Sequence, residues 1–294
     1  MQKVAIDIGY GDVKVCTETL TFKFPTAICK KQRAQMDYEA VRNDCYMLDG
    51  VEYIVGTDAL PYAISTRNFN FLVKYSPILM RHALKFCNLN PSEPYKIGAG
   101  LSFVNWGDRD EILANLNAAG FEKVELRPQG MGVFFDSNAL DGTVCIVDVG
   151  YHTLDFLVFK DGIIRPEFCF ANRNGVNRII VEFAKILTRK YKFDLSEMQA
   201  NEIFRVGEFK HFGNVESVAE YAMAAKEDYA DFLINEIMAK SGEIVRGADA
   251  VIFSGGGAYL LEDIDRLANT PNIKFANSPY EFANVRGYLK VLKG

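Results

Sequence analysis

Asp7-Ile8-Gly9-Tyr10-Gly11-Asp12-Val13-Lys14 follows directly on the apolar run Val4-Ala5-Ile6 and leads into Val15-Cys16. An apolar strand ending in a carboxylate, a glycine-bearing turn and a return strand together predict a β-hairpin. In the turn Gly9-Tyr10-Gly11-Asp12 the two glycines matter chemically, because they let backbone N–H groups close on phosphate oxygens. Asp7, at the strand end, suits Mg2+, which dehydrates reluctantly and is commonly held through water. Lys14, on the return strand, would set a positive charge beside a phosphate. The stretch is not a P-loop, since G-x-x-x-x-G-K-[ST] is absent and the glycines open onto a strand rather than a helix. Taken alone, an ordinary hairpin with a Gly-Asp turn accounts for it.

The pattern returns in the second half of the chain. Thr143-Val144-Cys145-Ile146-Val147 leads into Asp148-Val149-Gly150-Tyr151-His152-Thr153-Leu154-Asp155, repeating D-x-G-Y in the same strand context. One repetition at so long a period implies two similar domains rather than a repeat array. Two such hairpins facing one cleft would grip a polyphosphate from both sides, with Asp7 and Asp148 serving one metal. Gly150, Tyr151, His152 and Thr153 form the second turn. A phosphate or water contact for His152 competes with a side chain that faces the other lobe, and Asp155 reads as oriented toward the loop or metal shell. A third glycine-rich element, Ser254-Gly255-Gly256-Gly257-Ala258, follows a predicted strand at 248–253 and precedes a predicted helix at 259–268. Its glycines would let the backbone lie flat against an adenine or ribose, with a helix dipole behind it. A lone G-G-G is a weak signal; three such elements in this order are strong together.

Around these elements the chain alternates strands and helices. A strand at 21–28 is broken at Pro25, and a hairpin turns through Asp49-Gly50-Val51. A helix over 72–88 is interrupted or capped near Ser76-Pro77. A buried strand at 96–103, a helix at 108–119 ending at Gly120 and a short strand at 124–126 lead to Arg127-Pro128-Gln129-Gly130. A helix starts at Met131. Beyond the second hairpin the chain reads as largely helical, over 176–191, 195–204, 215–244 and a terminal 284–292.

Composition narrows the function classes. A chain of 294 residues, 49% apolar and 24% charged, is long enough for two ordinary α/β domains and is not disordered in type. Its net charge of −5, with no basic run beyond Lys30-Lys31 and Arg33, argues against direct binding to DNA or anionic membrane. The six cysteines are scattered without C-x-x-C pairs and read as reduced thiols. With no apolar leader and no run long enough to span a bilayer, a cytoplasmic location is expected.

The order of phosphate hairpin, connecting segment, second hairpin, adenosine loop and terminal helix resembles the actin, sugar-kinase and DnaK-type chaperone superfamily over nearly the whole chain. It looks closest to compact bacterial and archaeal actin-like proteins, especially plasmid-segregation (ParM-type) filament formers; Tyr53 to Ala59 (YIVGTDA) and Ala283 to Tyr288 (ANVRGY) also look like segments of that group. The resemblance implies an α/β fold of two similar, ribonuclease H-like domains with a nucleotide cleft between them. It divides the chain into 1–140, with a small inserted subdomain near 30–65, then 141–280, and a terminal helix at 281–294 returning to the first domain. It makes Asp7 and Asp148 the Mg-associated aspartates, Lys14 the phosphate-contacting lysine, and Gly255, Gly256 and Gly257 the adenosine motif. Gln129 falls where family members carry a Gln or Glu that orients the attacking water. Two departures stand out: Tyr10 replaces the Ser of many actins, and Tyr151-His152 replaces smaller residues.

The implied activity is slow, Mg-dependent hydrolysis of ATP or GTP, since a Gln orients water but is no strong base. The implied role is a head-to-tail filament that segregates plasmid or phage DNA, through an adaptor bound to centromere-like DNA rather than by direct DNA contact. Two alternatives come from other classes: a small-molecule kinase of the same superfold, which would need an aspartate base and a substrate pocket, and a static ATP-binding scaffold. No peptide-binding domain follows that would suit a chaperone.

Overall fold

Val4, Ala5 and Ile6 are fully buried in β1 (Gln2–Ile8), which turns back into β2 (Asp12–Cys16). The computed structural model describes residues 1–31, 45–64, 68–87, 89, 94–138 and 141–293. It divides into one unit of Met1–Ala139 with Asn277–Gly294 and another of Leu140–Ala276.

In the first unit, β3 (Thr21–Pro25) ends at the expected proline, and β4 (Ile28–Lys30) enters a different sheet with β5 (Cys45–Leu48) and β6 (Val51–Val55), in the order β4-β6-β5. The hairpin expected at Asp49-Gly50 is present, both residues having positive φ (50° and 74°) as such a tight turn requires. The subdomain expected near 30–65 lies partly outside the described residues. The main sheet is completed by β7 (Tyr95–Leu101) and β8 (Val124–Pro128), giving β3-β2-β1-β7-β8, with β1, β7 and β8 parallel and the β1–β2–β3 meander antiparallel. Helices α1 (Phe69–Lys85), α2 (Arg109–Ala118), α3 (Met131–Ser137) and a terminal helix (Ala283–Lys293) accompany it.

Pro77 does not interrupt α1. The carbonyl that loses its helical donor is that of Val73, four residues earlier, and it accepts from Ser76 Oγ at 3.0 Å and from Asn115 Nδ2 of α2. Two side chains thus replace the missing N–H, and the helix runs on with Ile78, Leu79 and Met80 fully buried.

The second unit repeats the plan. β9 (Thr143–Val149) and β10 (Leu154–Lys160) form the hairpin, and β11 (Ile163–Ile164) follows the left-handed turn at Asp161 and Gly162. β12 (Phe170–Asn172) pairs with β10. Helix α4 (Asn177–Tyr191) buries Ile179, Ile180, Phe183 and Leu187, the spacing that predicted it. α5 (Glu197–Val206) begins in a capping box at Ser196 and Gln199.

Two expectations fail here. The helix expected over 215–244 does not begin at 215: β13 (Glu208–His211) and β14 (Asn214–Ser217) form a hairpin through Phe212 and Gly213, both left-handed, before α6 (Ala219–Arg246), which is kinked at Ser241. The helical pattern of the alanine-rich stretch was extended backwards over a short strand whose partner is local. Nor is 259–268 one helix. After β15 (Ala250–Ser254) comes a 3-10 turn over Gly256–Leu260, then α7 (Asp265–Ala268), separated by an extended Ile264, and β16 (Ile273–Phe275). Leu261 and Ile264 are both buried, and the extended backbone at Ile264 separates the 3-10 turn from α7.

The second sheet runs β11-β10-β9-β15-β16, with β9, β15 and β16 parallel and β9–β10–β11 antiparallel. Along these five strands its order and directions are those of the first sheet, with β12 added beside β10, so the duplicated hairpins occupy equivalent places.

Candidate functional site

In the first unit, Gly9 N–H donates to Asp12 O at 3.2 Å, closing the turn. Thr26 holds it from behind: its hydroxyl donates to Gly9 O at 2.6 Å and its amide to Gly11 O at 2.8 Å. In a trans peptide the N–H points opposite to the preceding C=O. With the Gly9 and Gly11 carbonyls drawn toward Thr26, the Tyr10 and Asp12 amides therefore face away from it, as an anion-binding concavity requires.

Asp7 is 3% exposed and lies opposite Lys14 in the β1–β2 register; Lys14 Nζ stands 3.8 Å from Asp7 Oδ2. Gln129, at the end of β8, donates from Nε2 to the other oxygen, Asp7 Oδ1, at 2.6 Å. Parallel pairing of β1, β7 and β8 carries Gln129 alongside Asp7, its own N–H bonded to Leu101 O at 2.9 Å. Gln129, singled out from a distant part of the sequence, is thus brought to the Asp7 and Lys14 of the first hairpin. Tyr10 is turned aside: its hydroxyl accepts from Asn105 Nδ2 at 3.2 Å and its ring packs on the core. Asp12 faces Lys23 at 3.6 Å.

The second turn is built alike from different parts. Gly150 N–H donates to Thr153 O at 2.8 Å. The carbonyls of Gly150 and Tyr151 accept from the amides of Val176 (3.0 Å) and Asn177 (2.8 Å), at the start of α4. By the same trans-peptide geometry the Tyr151 and His152 amides face away from α4. Gly175 permits this docking, since a Cβ there would sit 2.5 Å from Tyr151 O and 2.6 Å from Gly150 O. The Tyr151 hydroxyl donates to Glu197 and its ring meets His152 edge-on at 4.9 Å. Asp148 pairs directly with Asp155 across β9 and β10, both buried.

The third glycine element lies on the end of β9. Ser254 registers with Asp148, and a Cβ on Gly255 (φ +81°) would fall 2.4 Å from Val149 O and 2.6 Å from Asp148 Oδ1. Gly257 is pinned against the Val149 and Val176 side chains, whereas Gly256 has open space where a side chain would be. The dipole expected behind this loop is reduced to that of a 3-10 turn.

Sequence reading overlooked Thr26, Gly175 and Asn177. Only Gly175 carried a local signal, a glycine just before a periodic helix. Asn177 is the more telling, because its Oδ1 is buried without a hydrogen-bond partner among the described residues. A buried acceptor left over costs about 1–3 kcal/mol unless a ligand or water supplies a donor. In each unit an amide-lined turn beside a buried strand-end carboxylate fits a phosphate with a hydrated divalent cation, and in the second the spare acceptor fits a hydroxyl donor. Among the described residues no group of three or more His, Cys, Asp or Glu side chains could hold a metal, and Mg2+ needs only one or two carboxylates beside phosphate and water. Among the same residues no helix is long and apolar enough to cross a membrane.

Comparison with known proteins bears on both units. A family model for the N-terminal domain of actin-like proteins matches residues 5–132, and one for the C-terminal domain of the MreB-like archaeal actin homologue matches residues 146–266. Among solved structures the chain is similar to Ta0583, an archaeal actin homologue, with a TM-score of 0.82 at 21% identity over 100% of this chain and 99% of that one. The complex of Ta0583 with ADP gives 0.76 at 21% identity, over 100% and 99%. A ParM from Clostridium botulinum in a 15-stranded filament gives 0.80 at 19% identity, over 99% of each chain. At these identities the likeness is one of fold. No curated protein sequence matches the chain.

Proposed function

Because this chain belongs to the actin-like proteins, whose family models match 5–132 and 146–266, we propose that it binds Mg-ATP or Mg-GTP, polymerises head to tail and hydrolyses the nucleotide slowly, as a ParM-type filament former would. The observation that carries this reading is the Gln129–Asp7–Lys14 cluster on the first hairpin. A carboxylate only accepts, so the Gln129 amide nitrogen must face Asp7. Its oxygen is then the atom turned toward a water proton. An amide oxygen orients that water but takes its proton poorly, which suits a timer rather than a metabolic catalyst.

In this reading the amides of Tyr10 and Asp12, and of Tyr151 and His152, receive phosphate oxygens, with Gly9, Gly11, Gly150 and Thr153 shaping the turns. Lys14 adds a positive charge. Asp7 and Asp148 would hold Mg2+ through water, and the ion would supply charge neutralisation at the phosphates. Gly255, Gly256 and Gly257 offer backbone to the nucleoside, and Asn177 Oδ1 accepts from a hydroxyl. The division into two compact units supports a reading with one phosphate-gripping turn in each. A filament is a heterologous contact that does not close, and the ParM neighbour was solved as one. The proposed use is plasmid or phage DNA segregation in the cytoplasm, with an adaptor supplying the basic surface that a chain of net charge −5 lacks.

The test is light scattering of the purified protein with Mg-ATP, Mg-GTP, Mg-ADP and no nucleotide, with phosphate release followed in the same cuvette. Scattering that rises with triphosphate and decays as phosphate accumulates is expected. Phosphate release without scattering up to tens of micromolar protein would remove the filament and leave a soluble phosphotransferase.

A further inference from the structure

The backbone on both sides of Gln129 is gripped by the terminal helix. The Gly130 N–H donates to Asn284 Oδ1 at 2.9 Å, fixing the peptide plane after Gln129. The Tyr288 hydroxyl lies 3.3 Å from Pro128 O and 3.3 Å from Asn284 Oδ1, so its single proton is shared between the peptide plane before Gln129 and the side chain that holds the one after. Asn284 and Tyr288 are four apart and share a helix face; they are 5% and 0% exposed. Gly130 has φ +86°, which glycine adopts freely and a side-chain-bearing residue rarely does.

The helix reaches this segment because bulk is missing where it crosses α3. A Cβ on Gly287 would stand 1.8 Å from Gly132 O, and one on Gly132 would stand 2.3 Å from Asn284 O. Gly100 clears the remaining space, since a Cβ there would lie 2.5 Å from the Tyr288 hydroxyl and 2.9 Å from Asp7 Oδ1. The same hydroxyl therefore borders the carboxylate that Gln129 bonds.

We infer that Asn284 and Tyr288 are positioning residues for hydrolysis, acting through the two peptide planes that set where the Gln129 side chain points. The inference rests on the reading of Gln129 as the residue that orients water. A misplacement of about 1 Å at a reacting group costs on the order of 100-fold in rate. Loss of one of two holds should cost less, about 5- to 20-fold.

Full-length Tyr288→Phe, Asn284→Ala, Asn284→Asp, Gln129→Ala and the Gln129→Ala/Asn284→Ala double variant would be compared. Readouts are kcat for phosphate release, affinity for a non-hydrolysable ATP analogue, ATP-driven scattering and thermal unfolding. Tyr288→Phe keeps the buried ring and so tests the hydroxyl even where Asn284→Ala loosens the fold. The expected result is a 5- to 20-fold lower kcat for Tyr288→Phe and Asn284→Ala, with analogue affinity within twofold and scattering retained. Asn284→Asp, which keeps an acceptor oxygen, recovers most of the rate, and Asn284→Ala adds no loss on the Gln129→Ala background. Wild-type kcat in Tyr288→Phe, or an equal loss on that background, would overturn the positioning role while leaving Gln129 in place. Parallel loss of affinity and rate would reduce the contacts to structural ones. Wild-type kcat in Gln129→Ala would overturn the reading of Gln129 and the inference with it.

Discussion

Across the first hairpin Asp7 faces Lys14, and across the second Asp148 faces Asp155. The two sheets have one topology, and the two turns are held by one device, carbonyls drawn backwards so that amides point forwards. The holder differs: Thr26 in one unit, the first amides of α4 in the other. The chemistry at the equivalent strand positions has also separated. The first unit carries an internal cation and an amide beside its aspartate. The second sets two buried carboxylates opposite each other, an arrangement that is unfavourable across a strand pair unless hydrogen bonds or a cation offset it. The first unit thus holds its aspartate between a cation and an amide, whereas the second sets its aspartate against another carboxylate.

The largest effect is expected where the second unit is most tightly closed. Gly255→Ala would force a left-handed residue and drive its Cβ into Val149 O and Asp148 Oδ1. A cost of about 2–4 kcal/mol is expected in thermal or urea unfolding, with nucleotide binding abolished. A variant of wild-type stability and affinity would show that this loop yields freely. Next in size is Lys14→Met, which removes the only positive group that ion-pairs with Asp7 among the described residues. Calorimetric titration should show triphosphate affinity about tenfold weaker, in line with loss of a charge-assisted contact. No change would move the anion site off the first hairpin.

Asp155→Asn tests the other half of the contrast. Relief of the carboxylate pair should raise the melting temperature in EDTA by a few degrees, about 1 kcal/mol of stability, and narrow the gain in stability on adding Mg2+ with nucleotide. Destabilisation in EDTA would mean that the pair is held by hydrogen bonds the charge needs. The smallest effect belongs to a control away from either turn. In the first sheet the Lys96 hydrogen bond, helped by Arg127, holds the Glu125 carboxyl below its ordinary value of 4.5. A depressed carboxyl stabilises above the unfolded value, and that stability is lost as pH falls through the folded one. Glu125→Gln should therefore cost about 0.5 kcal/mol or less near neutrality, with the difference vanishing on acidification below 4.5 and nucleotide affinity unchanged.

Both hairpins, their aspartates and the order of the two halves were legible because strand alternation and glycine turns are local signals. Gln129 was legible only through resemblance, since nothing near Pro128 in sequence says that parallel pairing will carry it to Asp7. Thr26, Gly175 and Asn177 were missed for the same reason: each acts on a turn that is distant along the chain. The hairpin at Phe212 and Gly213 was hidden by the alanine-rich helix after it, and the break beyond Gly257 by apolar spacing at Leu261 and Ile264 that also suits a helix, although Ile264 is extended. Pro77 misled in the opposite direction, because its helix is repaired by Ser76 and by Asn115 of α2.

The most direct test of the division between the units is Gln129→Ala, followed by nucleotide titration and phosphate release on the same preparation. The account requires triphosphate affinity within about twofold of wild type and phosphate release lower by on the order of 100-fold. Undiminished release would contradict it, because the first unit would then hold phosphate without orienting the water that attacks it.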